Sequence, residues 1–159
     1  FDNLPTAYRD GRNQDARNAM AMAAYYAGLA INQVNVGNVH AIAHQLGGKY
    51  GIPHGLANAL VLPHILEFCH DEAMERLAEL ALLIGVGTPG DDTNALSHRF
   101  IKAVRDLRTQ VGIPDQMNVI KREDFDSITQ QAMAEGFGYP SPRLLDKKSV
   151  LLILDRIAA

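Results

Sequence analysis

Apolar residues in this chain recur at steps of three and four, in runs closed by glycine or proline. Nowhere do they alternate at steps of two for long enough to argue a sheet, although Val150 to Leu154 could be read either way. A period near 3.6 places one apolar stripe on each helix, and each stripe needs another helix to cover it. The pattern therefore predicts an all-α protein, a multi-helix bundle of about seven helices, in one helical domain over residues 1–159.

The helices can be placed from their caps and stops. Residues 2–10 read as an irregular lead-in or the end of a helix, with Pro5 allowed in a first turn. Asn13 caps a long helix, with Asp15 in its first turn and a stripe of Ala16, Met20, Ala23, Ala24, Ala27 and Ile31. That helix is thin in alanine and glycine, so another helix or a second copy could pack close to it, and a homo-oligomer is compatible with it. After a break at Gln33 to Gly37, Asn38 caps a short helix through Leu46 that stops at Gly47-Gly48. A third helix runs from Leu56 to about Phe68, with Pro63 as a candidate kink. Asp71 opens the fourth and Asp91, Asp92 or Thr93 the fifth. The sixth begins near Arg122 and ends at Gly136, and the last spans about Asp146 to Ile157.

Composition narrows the function. With 47% apolar and 21% charged residues, a net charge of −3 and no Lys/Arg run interleaved with aromatics, no nucleic-acid partner is expected. The longest nearly uncharged stretch, Ala19 to Lys49, is broken by Asn32, Gln33, Asn35, Asn38 and glycines, whereas a spanning helix needs roughly 20 continuous apolar residues, so no membrane association is expected. The single cysteine, Cys69, cannot form an intrachain disulfide and suits a reducing cytoplasm. Its place on an apolar pattern reads as a small buried hydrophobe.

Three of the six histidines, His40, His44 and His54, fall between Val39 and Pro63, around the Gly47-Gly48 pair. On a helix His40 and His44 share a face, and His54 can swing back toward it across the turn. Neutral imidazoles suit Zn²⁺, Fe²⁺ and similar ions. Two readings stand at this point: a partial metal site, or structural histidines at a tight helix junction. His64, after Pro63 on a helix, His70, next to Asp71 at a helix start, and His98, between Ser97 and Arg99, read as solvated.

The run Val39-His40-Ala41-Ile42-Ala43-His44-Gln45-Leu46-Gly47-Gly48, followed by Ile52-Pro53-His54-Gly55-Leu56-Ala57-Asn58-Ala59 and Leu62-Pro63, closely resembles the signature of the iron-containing (group III) alcohol dehydrogenases. The upstream Ala19-Met20-Ala21 and Ala27-Gly28-Leu29-Ala30-Ile31-Asn32 are similar to the segment before that signature, and Ser141-Pro142-Arg143 matches more loosely.

The resemblance implies a two-domain enzyme: an N-terminal α/β domain that binds NAD or NADP, and a C-terminal all-helical domain, of the dehydroquinate-synthase-like type, that supplies metal ligands. The chain resembles only the second, lacks a Gly-Gly-Gly-Ser phosphate loop, and starts at Phe1, so it reads as a piece of a longer protein. Residue by residue, the resemblance makes His40 and His54 ligands of a divalent ion, Fe²⁺ or Zn²⁺, and places His44 beside the nicotinamide and substrate, outside the direct ligands. Spacing alone had paired His40 with His44. The family's other two ligands, an Asp and a His four residues later, have no match, since no Asp here is followed four positions on by His. The implied activity is interconversion of a small alcohol with an aldehyde or ketone, the metal acting as Lewis acid, and the fragment alone should be inactive. The alternatives are a stand-alone helical interaction module using the alanine-rich helix, and a dehydroquinate-synthase-like lyase domain binding NAD and zinc.

Overall fold

The computed structural model describes residues 1–159. Eight α-helices follow one another: α1 (Leu4–Arg9), α2 (Gln14–Val34), α3 (Asn38–Tyr50), α4 (His54–Phe68), α5 (His70–Leu83), α6 (Thr93–Gln110), α7 (Phe125–Gly136) and α8 (Lys147–Ile157), with a 3-10 turn over Arg122–Asp124 before α7. There is no strand, and the β-type pairing is one isolated bridge between Met117 and Ala158. The seven expected helices are all present, and the lead-in is an eighth. No helix is long and apolar enough to cross a membrane.

Several starts follow from side chains that satisfy otherwise orphaned amides. Asn13, Asp92 and Asp146 each accept from a backbone N–H three residues on, at 2.9 Å. Three boundaries differ from the sequence reading, the simplest being α4, which starts at His54 and not at Leu56. Asn38 does not cap α3; Gly37 holds that position, while the Asn38 amide donates to the Arg143 carbonyl oxygen at 2.7 Å. Nor does α3 stop at Gly47-Gly48. It runs one turn further, because Lys49 and Tyr50 are held by Asp124 at 2.8 Å each, and it ends at Gly51, whose φ of 68° is the left-handed conformation that closes a helix without a Cβ penalty. The Lys49 and Tyr50 contacts in turn hold the Asp124 carboxyl below its ordinary range.

The main core lies among α3, α4, α7 and α8, where Ile42, Leu46, Leu60, Ile128, Leu154 and Ile157 are fully buried. Helix α4 is apolar on most sides and continues through the buried Pro63. A smaller core joins α5 to α6 through Leu77, Ala81, Leu96, Phe100 and Ile101. Helix α3 crosses α7 at close range: a Cβ added to Gly136 would lie 3.3 Å from the Ala41 Cβ. Small residues on both sides let the two backbones approach.

The α2 stripe is exposed, since only Ala16 is buried on that helix and no element of the chain covers Ala23, Ala24, Ala27 and Ile31. One expectation fails here. His64 and His70 are buried rather than solvated, at 7% and 8% exposure, because His64 lies among apolar residues of α4 and His70 packs against Ser97 of α6; His98 is exposed as expected. His70 Nε2 lies 2.7 Å from Ser97 Oγ, and its ring stacks on His98 with centroids 4.2 Å apart.

Truncating the core should be costly where no neighbour can collapse into the void. Ile128→Ala should lower the free energy of unfolding by about 2–5 kcal/mol in urea titration, and Leu83→Ala, at a position 79% exposed, should change it by less than about 0.5 kcal/mol. His64 supplies a pH test. Burial, assisted by the nearby Arg105 charge, lowers its pKa from 6.5 to about 4. Between those values the unfolded chain binds more protons than the folded one, so this residue's contribution to stability falls as pH drops from 6.5 to about 4 and levels off below. The stability difference between wild type and His64→Leu should therefore move in favour of the variant across that window, by on the order of 3 kcal/mol in urea midpoints converted to free energy.

Candidate functional site

The three residues Gly51, Ile52 and Pro53 connect α3 to α4, so the two helices form a tight hairpin. His40 and His44 share one face of α3, and His54 is the first residue of α4. The hairpin brings all three rings together: centroids are 5.5 Å apart for His40 and His44, 5.2 Å for His40 and His54, and 5.3 Å for His44 and His54. The expected swing of His54 toward the α3 pair is what the structure shows.

Each ring has a different setting. His40 is half-buried, and burial, then the neighbouring His54 and His44, lower its pKa, so the neutral form dominates at physiological pH. His54 is exposed, and its Nε2 lies 2.9 Å from Asn58 Nδ2. The same amide nitrogen is 3.0 Å from the His54 carbonyl oxygen, which can only accept, so Nδ2 is the donor in both contacts and His54 Nε2 accepts. His44 is also exposed, with Nδ1 2.5 Å from Glu135 Oε1.

Glu135 and Asn58 were not singled out from sequence. Asn58 sits one helical turn after His54, so spacing could have flagged it. Glu135 lies 91 residues from His44, and no local pattern links the two. The carboxylate also accepts from Tyr139 OH and from Gln45 Nε2, both at 2.6 Å. Burial pushes the Glu135 carboxyl up, but the bonds from Tyr139, His44 and Gln45 together hold it below its ordinary value.

Beside His40 and Asn58 opens a cavity of about 540 Å³ between the end of α2, the start of α3, α4 and the loop at 140–142, lined chiefly by Ile31, Val36, Val39 and Leu62. Its shape depends on the loop being pinned: Arg143 stacks its guanidinium 4.4 Å over the Phe68 ring and donates to the Phe68 carbonyl oxygen at 3.2 Å. Cys69 also lines the cavity, and burial raises its thiol pKa, as suits an unreactive apolar filler.

The donor chemistry fits a divalent ion in part. Imidazoles are neutral nitrogen ligands, and the depressed pKa of His40 keeps its lone pair available. No group of three or more His, Cys, Asp or Glu side chains is arranged to hold a metal ion by itself. The cluster is therefore suited to contribute to a site rather than to complete one.

Comparison with known proteins finds relatives in both sequence and shape. The C-terminal model of the Fe-containing alcohol dehydrogenase family matches residues 1–158. A 1,3-propanediol dehydrogenase of Citrobacter freundii is 37% identical over 150 residues, 93% of this chain and 39% of that protein. An NAD-dependent methanol dehydrogenase of Bacillus methanolicus is 35% identical over 154 residues, 95% of this chain and 40% of the relative. A crystal structure of a 1,3-propanediol oxidoreductase superposes with a TM-score of 0.92 at 36% identity, over 97% of this chain and 41% of that one. The chain thus spans about 40% of the length of these relatives. It belongs to the Fe-containing alcohol dehydrogenase family and corresponds to that family's C-terminal, all-helical part.

Proposed function

We propose that residues 1–159 are the helical metal-binding domain of an NAD(P)-linked alcohol dehydrogenase, in which His40 and His54 ligate a divalent ion, iron or zinc, and His44 acts beside the reacting carbon. The observation that carries this reading is the convergence of three imidazoles, centroids 5.2 to 5.5 Å apart, on the α3–α4 hairpin that also bears the family signature. Bound there, the ion would supply Lewis acidity toward the oxygen of an alcohol or aldehyde.

The chain's own residues do the rest of the local work. His40 offers a neutral lone pair from a half-buried position. Asn58 occupies the His54 Nε2 lone pair, so ligation through that nitrogen displaces the amide. The apolar cavity beside His40 has room for the carbon chain of a small alcohol and keeps water from part of the site. The remaining ligands and the nicotinamide nucleotide come from the rest of the enzyme, so this chain alone should not turn over. One buried cysteine without a partner suits a reducing compartment such as the cytoplasm. The names of the relatives point to short alcohols and diols as the substrate class, and one of them to NAD.

The ligand assignment separates the histidines by two readouts. In the intact enzyme, His40→Ala and His54→Ala should each lose most of the metal measured by atomic emission, and activity should fall with it. His44→Ala should keep its metal while kcat drops about 100-fold or more, the scale of a lost proton-transfer or positioning group. Equal metal content in wild type and His54→Ala would overturn the assignment.

A further inference from the structure

We infer that Glu135 is a positioning residue for His44: its carboxylate fixes the rotamer and tautomer of that ring, so that neutral His44 carries its proton on Nδ1 and leaves Nε2 as a free lone pair. The inference deepens the proposed function, because it concerns how the histidine placed beside the reacting carbon is presented.

The argument begins with acceptor chemistry. An ionised carboxylate has no proton to give, so every group bonded to it must donate. Glu135 is met by three such groups: Tyr139 OH and His44 Nδ1 on Oε1, and Gln45 Nε2 on Oε2. The orientation of the Gln45 amide is settled independently, because Nε2 also lies 3.1 Å from the Ala41 carbonyl oxygen and must be the nitrogen end. These bonds keep the carboxyl ionised at neutral pH. Facing a carboxylate oxygen at 2.5 Å, His44 Nδ1 must bear a hydrogen. Nε2 has no hydrogen-bond partner within the chain and is then the nitrogen free to accept.

The backbone is arranged to permit this contact. Glu135 precedes Gly136, the residue whose missing Cβ lets α7 close on Ala41 of α3. That approach brings a carboxylate on α7 within reach of two side chains, His44 and Gln45, on consecutive positions of α3. Tyr139, one turn after Glu135, holds the other side of the same oxygen. A simple staple between two helices would need only one charged contact; three donors converging on one carboxylate fix its direction, and through it the direction of the ring.

The tautomer can be read directly. Long-range proton–nitrogen NMR on the uniformly ¹⁵N-labelled chain, with His44 identified by loss of its signals in His44→Gln, should show His44 protonated on Nδ1. In Glu135→Gln the Gln45 NH₂ needs the amide oxygen at the Oε2 position, which leaves the new NH₂ at the position shared by His44 and Tyr139. Tyr139 OH can accept there, but His44 can meet an NH₂ only with a bare Nδ1, so the ring should change to the Nε2-protonated form. Glu135→Asp, which remains acceptor-only, should retain the Nδ1 form. In the intact enzyme Glu135→Gln should lower kcat about 10- to 100-fold with metal content retained, and Glu135→Asp should recover part of the loss. A wild-type ring protonated on Nε2, or a Glu135→Gln spectrum identical to wild type, would overturn the inference. So would a Glu135→Gln enzyme that loses metal in proportion to rate, since that marks a structural role. Failure of the proposed function would show instead as unchanged metal content in the His40 and His54 variants, which this spectrum does not read.

Discussion

The joint between α3 and α4 is the constraint on which the rest depends. Three residues must reverse the chain between two helices, and only a residue free to take a positive φ can end α3 and release the next amide at that point. Gly51 does so with φ of 68°, its N–H bonded to the Gly47 carbonyl oxygen at 2.9 Å. Because the turn is so short, the first side chain of α4 emerges opposite the face of α3 that carries His40 and His44. A longer connection would not hold His54 against the other two rings, and a continuous helix would carry it past them.

Around that joint the molecule holds α3 at three places. Its start is fixed to the 141–143 loop through Asn38, its end to Asp124 through Lys49 and Tyr50, and its middle to α7 through Glu135. The apolar cores beneath supply most of the stability, since burial of groups such as Ile42 and Leu46 outweighs any single polar contact. The polar contacts serve a different end. They restrict where a rigid helix points, which matters for side chains that must meet at separations of about 5 Å.

Much of this was legible in the sequence. The all-helical fold, the stripe periods, the cap at Asn13, the start of the fifth predicted helix at one of Asp91, Asp92 or Thr93, and the grouping of His40, His44 and His54 all follow from short spacings, where chemistry and geometry are local. What the sequence hid lies across long separations. Gly47-Gly48 looked like a stop because glycine disfavours helix, but the Asp124 contacts from a turn more than 70 residues away outweigh that cost. His64 and His70 looked solvated because imidazole is polar and, for His70, because Asp71 adjoins it, while burial depends on which face each residue occupies. The α2 stripe has the helical period read from sequence, but which surface would cover it is not a local property, and nothing in the chain does. Glu135 carried no sequence signal at all, since its partners on α3 are joined to it only by the crossing of two helices.

The central claim is that His40 and His54 are ligands of a divalent ion in the intact enzyme. X-ray absorption at the metal edge tests it most directly. The account predicts nitrogen and oxygen neighbours at roughly 2.0–2.2 Å, with the outer scattering of imidazole rings and a clear loss of that imidazole signal in either His40→Ala or His54→Ala. A site with sulfur donors, or an imidazole signal unchanged in both variants, would contradict it.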